Sequence, residues 1–167
     1  LGLRERPKDT PGKQACAAVG QCELMYLYDN LFAEYSISVA QMLLTKYVLL
    51  EDRRKNVENA MERLISHRVI PVINENDTVA IDELELEVGE NDSLAAIVAD
   101  IAKADLLIIM SDIDGLYDKD PHTYEDAKLI PVVHEITDEI KALAGGAGTK
   151  LGTGGMITKL NAVEIAY

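Results

Sequence analysis

The sequence predicts an α/β fold with a mainly parallel central sheet, and three features carry that prediction. Apolar, often β-branched runs stand at Val39 to Leu44, Val69 to Ile73 and Leu106 to Asp112, and short runs of this kind suit strands buried on both faces. Amphipathic helical patterns lie between them, at Glu51 to His67 and from Asp92 to Ala104. Parallel neighbours need such crossovers, which are right-handed in nearly all sheets. Each run also ends in polar residues: Thr45, then Asn74 to Asp77, then Ser111 and Asp112. The polar side chains should therefore line one sheet edge, where open α/β sheets bind ligands.

At 167 residues the chain fits one domain, residues 1–167, able to bury roughly 70% of its unfolded surface without metals or disulfides. Its net charge is −13, and its one short basic group is Arg53-Arg54-Lys55. Nucleic acid and anionic membranes are poor partners for such a surface. Cys16 and Cys22 share one predicted helix, with a rise of about 9 Å between them, so they cannot bridge to each other there. No CxxC or Cys/His ligand spacing appears, and two buried thiols fit a reduced, cytoplasmic setting. There is no signal-peptide pattern and no apolar run long enough to span a bilayer.

The first element is expected to be a loop, Leu1 to Gly12, with Pro7, Pro11 and two glycines. A helix follows from Lys13 to Tyr35, with Ala15, Val19, Cys22, Met25, Tyr26, Leu31 and Phe32 on its apolar face. That face reads as packing, and a second copy of the chain could also cover it. The helix from Glu51 to His67 turns Val57, Met61, Leu64 and Ile65 inward. After the strand at Val69, Leu84, Leu86 and Val88 alternate with Glu83, Glu85 and Glu87, as in a hairpin arm with one wet face. Asn91 or Asp92 then stands where the next helix needs its N-cap. Each Asn/Asp cluster, taken singly, reads as a turn or a cap. Two of them bracketing one hairpin could converge on a small polar ligand.

Asp114-Gly115 and Lys119-Asp120-Pro121 mark turns in a long connection, Ile113 to Pro121, on the same edge. A short strand within Leu129 to Ile136 and a short helix from Asp138 to Leu143, capped by Thr137 or Asp138, follow. Next comes the glycine-rich stretch Ala144 to Gly155, which opens a final helix from Met156 to Tyr167. Such a loop is either a flexible linker or a cradle whose free N–H groups and helix dipole hold phosphate. It matches neither the P-loop nor the GxGxxG pattern, since Ile157 stands where a third glycine would be. Lys159 favours the cradle. A cation in the first turn is disfavoured by about 0.3–1 kcal/mol, its side chain leans back over the loop, and a bound anion would make it favourable.

INENDTVA (Ile73 to Ala80), GEND (Gly89 to Asp92), SDIDGLY (Ser111 to Tyr117) and GTGGMITK (Gly152 to Lys159) resemble segments of the amino acid kinase family, and within it those of the glutamate 5-kinases. KQACAAVGQ (Lys13 to Gln21) and YSISVAQMLLT (Tyr35 to Thr45) are similar too. The segments keep the family's order over nearly the whole chain. The resemblance implies a three-layer sandwich with a mainly parallel central sheet, here incomplete at both ends and without a second domain. It implies ATP-dependent phosphorylation of the side-chain carboxylate of L-glutamate to L-glutamyl 5-phosphate, the first step of proline biosynthesis. Mg²⁺, feedback inhibition by proline and a homo-oligomer come with it.

By the same resemblance Lys159 stabilises the transferring phosphoryl group, and Asp92 organises the site between the catalytic lysines. Asp77 and Asn91 contact glutamate, with Asn74 close by. Ser111, Asp112, Thr153, Gly154, Gly155, Met156, Ile157, Thr158 and Lys159 take the nucleotide. No residue is assigned to a metal. The chemistry agrees, because phosphoryl transfer to a carboxylate is mainly positioning and charge stabilisation and needs no protein nucleophile.

Glu90 replaces the family's usual Asp, Ser111 replaces its commoner Thr, and the family's first strand, with its lysine, would precede Leu1. These residues alone are therefore expected to be inactive. Acetylglutamate kinase, aspartokinase and uridylate kinase share the sheet and the glycine loop, but INEND and GEND argue against them. The same segments would also suit the kinase part of a bifunctional pyrroline-5-carboxylate synthase, or a non-catalytic ligand-sensing module that keeps the fold without turnover.

Overall fold

The computed structural model describes residues 2–3, 5–45, 51–79, 91–144 and 155–167. The elements run α1 (Thr10–Ala33), β1 (Val39–Leu44), α2 (Glu51–Ser66), β2 (Ile70–Glu75), α3 (Asn91–Ala102), α4 (Asp138–Ala144) and α5 (Met156–Ala166). They divide between two compact units, Leu1–Leu86 and Glu87–Tyr167. The predicted hairpin and most of the glycine-rich stretch fall outside the described residues.

In the first unit β1 and β2 pair in parallel, with Val39 opposite Ile70 and Leu44 opposite Glu75. The helix α2 lies between them in sequence, as a parallel connection requires. Leu44 and Met61 are buried here. The strand β2 runs two residues past its predicted end, because Asn74 and Glu75 keep the ladder register and Asn76 N–H donates to Leu44 O at 2.7 Å. Its polar end is therefore held as rigidly as its apolar start. It is not buried on both faces: Ile70 is exposed and the rest is half-buried, since β1 is its only ladder partner among the described residues.

α1 starts three residues before the predicted Lys13. Asp9 is its N-cap, accepting the Gly12 N–H at 2.9 Å, and Pro11 stands in the first turn, where a missing N–H leaves nothing unsatisfied. Its apolar face is also displaced from expectation. Val19, Tyr26 and Leu31 are exposed, no residue of the helix is fully buried, and the half-buried stripe is Gln14, Ala17, Gln21, Met25 and Phe32. So many apolar residues surround this helix that periodicity does not single out one face. Cys16 is half-buried and Cys22 exposed, both free thiols, so the expectation of two buried thiols fails with the displaced face. In α2, Met61 is buried and Val57 and Leu64 half-buried, whereas Ile65 is exposed.

α1, α2 and α3 are each followed by a residue with positive φ that is not glycine: Ser36, Arg68 and Lys103. Hydrogen bonds back to the last turn hold these bends: Ile37 N–H to Phe32 O, Val69 N–H to Leu64 O and Ala104 N–H to Ala99 O. Such geometry normally recruits glycine, so nothing in the sequence marked it.

In the second unit α3 packs against α5, burying Leu94, Ala96, Ile97 and Ile101 on one helix and Leu160 and Ala162 on the other. Ala96 and Ala162 are fully buried, and small residues at the contact let the axes approach. A neighbouring cluster joins Leu116, Ala144 and Leu160, with Ile130, Ile140, Met156 and Ile157 against it. α4 matches its prediction, with Thr137 Oγ1 accepting the Ile140 N–H at 3.3 Å.

The predicted third strand, Leu106 to Asp112, is corrected: the segment is irregular and belongs to no sheet. Leu106, Ile108 and Met110 are 74%, 71% and 85% exposed, while Leu107 and Ile109 are half-buried. The alternation of an extended chain survives, but a strand exists only with a hydrogen-bonded neighbour, and none pairs with it among the described residues. Likewise Leu129 to Ile136 forms no strand beyond a single antiparallel bridge, Tyr117 to Leu129.

Truncating Ile101 to alanine should destabilise this chain by about 2–5 kcal/mol, whereas Ile108→Ser should stay within about 0.5 kcal/mol. Urea denaturation of the two variants checks this; equal losses would mean that Ile108 is buried as a strand residue after all.

Candidate active site

Asp92 stands in the first turn of α3, where the helix dipole favours a carboxylate by about 0.3–1 kcal/mol. Lys159 is in the first turn of α5, where the dipole opposes it. The fold brings the two together. Lys159 Nζ lies 3.0 Å from Asp92 Oδ2, and the Thr158 hydroxyl lies 2.9 Å from the same oxygen and 2.8 Å from Gly155 O. One proton serves either acceptor in turn. The two charged side chains are only 21% and 19% exposed, so salt screens this pair less than a surface pair.

The groove formed by Ala99 and Lys103 with Val163 and Ala166 shows that the other ends of α3 and α5 also meet. The helices therefore run parallel, and both N-termini open on the same place. α5 begins after Gly155, which has no side chain to cap the first-turn N–H groups. Two dipole ends, uncapped N–H groups and an ammonium make a ready site for an anion. Met156 and Ile157 pack their side chains into the Leu116 cluster, which leaves only their backbone N–H groups at the open helix start.

Among the other expected residues, Ser111 and Asp112 are exposed, with Ser111 Oγ donating to Asp112 Oδ1 at 3.4 Å. Just beyond them the chain is pinned back toward α5. Ile130 N–H donates to Leu116 O at 2.8 Å, Asp118 N–H to Lys128 O at 3.0 Å, and Leu116 is buried against Leu160. In this loop partial burial first, then the adjacent Asp114 carboxylate, raises the Tyr117 pKa. Bonds from the Thr123 hydroxyl and then the His122 N–H lower that of Asp120. Thr153 and Gly154 lie outside the described residues. Asn91 is exposed at the start of α3 and stands inside the helix, as Asp92 does, instead of capping it.

The first unit holds Asn74 and Asp77. Asn74 closes β2 with both ends of its carboxamide engaged: Oδ1 accepts the Glu75 N–H at 2.9 Å, and Nδ2 donates to Gln21 Oε1 at 3.1 Å. Asp77 is exposed in the turn that follows, where the Thr78 hydroxyl donates to Asn76 Oδ1. Gln21 carried no site expectation. Nothing in the sequence marked it, because periodicity does not single out the packed face of α1 and Gln14 stands on the same half-buried stripe.

Residues 1–166 match the amino acid kinase family. The chain is 53% identical over 169 residues to a glutamate 5-kinase of Clostridium perfringens, covering 99% of this chain and 63% of that protein. It is 50% identical over 170 residues to one of Lactococcus lactis, covering 100% and 63%. With one of Caldanaerobacter subterraneus it shares 52% over 168 residues, covering 100% and 45%. The chain thus spans about half to three-fifths of the length of these curated relatives.

A double-mutant cycle on Asp92→Ala and Lys159→Met should give a coupling of about 0.5–3 kcal/mol by chemical denaturation, the range for contacting residues in one polar network. A coupling near zero would reduce the pair to an incidental surface contact.

Proposed function

This chain belongs to the amino acid kinase family, and on that premise we propose that the full-length protein transfers the γ-phosphoryl group of ATP to the side-chain carboxylate of L-glutamate, giving L-glutamyl 5-phosphate for proline biosynthesis. The observation that carries the proposal is the Lys159 ammonium, held by Asp92 where two helix N-termini meet. The names of the relatives support glutamate as the acceptor. The three-layer sandwich with its mainly parallel sheet belongs to the same reading, as do proline inhibition, a homo-oligomer and a cytoplasmic location.

In this mechanism a glutamate carboxylate oxygen bonds to the γ-phosphorus while the bond from that phosphorus to the β,γ-bridging oxygen breaks. ADP leaves with the electron pair. Charge grows on the phosphoryl oxygens, and donors already aimed at it stabilise the transition state more than the ground state. Lys159 and the N–H groups of Gly155, Met156 and Ile157 are those donors, the Thr158 N–H being taken by Gly155 O at 3.2 Å. Asp92 keeps the ammonium from straying, and Thr158 ties the carboxylate to the loop end. Ser111, Asp112, Thr153 and Gly154 complete the nucleotide side. Asp77 is matched by charge to the substrate ammonium, while Asn74 and Asn91 offer amide donors to its carboxylates.

Among the described residues no three His, Cys, Asp or Glu gather as metal ligands. Mg²⁺ brought with the nucleotide would offset the negative charge of its phosphate oxygens.

A coupled ADP-release assay on full-length protein should show turnover with L-glutamate and little with N-acetylglutamate or aspartate; the reverse preference would overturn the proposal. In that assay Asp77→Ala should raise the glutamate KM far more than the ATP KM, and Lys159→Ala should lower kcat by roughly 10²–10³. Wild-type kcat in the lysine variant would remove it from the mechanism.

A further inference from the structure

Gln21 sits on the packed side of α1, and its carboxamide meets that of Asn74 at the end of β2, in a half-buried position. Backbone geometry fixes the orientation of both amides. The Glu75 N–H holds Asn74 Oδ1 on the backbone side, so the NH₂ is the end of Asn74 that faces α1, and Gln21 answers with its oxygen. Gln21 Nε2 is thereby turned inward, buried and without a hydrogen-bond partner among the described residues.

This pairing is weak as a stabilising device. A buried NH₂ left unsatisfied loses at least as much as one neutral amide bond gains, and an apolar side chain of the same length would pack in the same place without that loss. What a glutamine supplies here is a fixed acceptor for Asn74. The terminal torsion of an asparagine is otherwise broad. With Oδ1 held by the backbone and one Nδ2 hydrogen held by Gln21, the second Nδ2 hydrogen has a single direction.

We infer that Gln21 is a positioning residue for substrate binding: it acts through Asn74, aiming the free N–H of that carboxamide at a carboxylate oxygen of the acceptor substrate. The inference rests on the proposed glutamate reaction and on the assignment of Asn74 to its substrate side. It extends the site from the strand end to α1, which carried no expected site residue.

The test is a kinetic cycle in full-length protein with Gln21→Met, Asn74→Ala and the double variant. The readouts are the glutamate KM, the ATP KM and Tm, with glutamate affinity by calorimetry for any variant that no longer turns over. Gln21→Met should raise the glutamate KM roughly 3–10-fold, the scale of one neutral hydrogen bond, with the ATP KM within about twofold and Tm unchanged or higher. In the Asn74→Ala background it should add less than about twofold, because its route of action is gone. An unchanged glutamate KM, an equal effect in both backgrounds, or a lowered Tm with both KM values rising together would each overturn the inference. Wild-type protein that turns over glutamate while Gln21→Met matches it overturns this inference alone. Wild-type protein without glutamate-dependent turnover overturns the functional proposal and this inference with it.

Discussion

Two parallel helices open their N-termini on the same place in the second unit, and the Asp92 carboxylate is what makes that arrangement stable. Each N-terminus behaves as about half a positive charge, and Lys159 adds a whole one. Left alone, these groups would repel. Asp92 sits in the first turn of α3 and takes both Lys159 Nζ and the Thr158 hydroxyl on Oδ2, so one anion balances the end of each helix. The packing below, with Ala96 and Ala162 fully buried at the contact, holds the helices close enough for this to matter. The same excess of positive potential that needs Asp92 also suits the place to a phosphoryl group.

The first unit solves a different problem, that of presenting polar groups rigidly. Asn74 and Glu75 remain in the ladder opposite Leu43 and Leu44, so the polar side chains start from a backbone whose position the strand pair sets. A loop asparagine would have to be ordered by the ligand, at a cost in affinity. Here Gln21 and the Glu75 N–H do that ordering in advance, and α1 is tied to β2 by the same hydrogen bond. A helix with no fully buried residue still reaches the strand end through one half-buried glutamine.

Some of this could be read from residues alone. The parallel pair β1 and β2 was legible because Val39 to Leu44 and Val69 to Ile73 are short apolar runs separated by an amphipathic helix. Lys159 stood out because a lysine in a first helical turn after glycines contradicts the dipole. Leu106 to Met110 misled because an apolar run declares hydrophobicity and not its partner; three of its five side chains face solvent. The apolar face of α1 was misplaced for a related reason, since a helix apolar nearly all round has no periodic minimum. Ser36, Arg68 and Lys103 gave no warning of positive φ, because backbone hydrogen bonds to the preceding helical turn hold a conformation their side chains do not favour.

By itself the sequence determined what is local and periodic: the helix and strand order of the first unit, the helices behind Asp92 and Gly155, and the motifs of the amino acid kinase family. Only the tertiary structure decided which groups meet. Asp92 and Lys159 are separated by 67 positions, and Gln21 and Asn74 by 53. Propensity and periodicity act over a few residues, whereas an ion pair or an amide pair depends on how two helices, or a helix and a strand, pack after folding. That is why the sequence showed the lysine, the aspartate and the asparagine as separate candidates, and the fold supplied each with its partner.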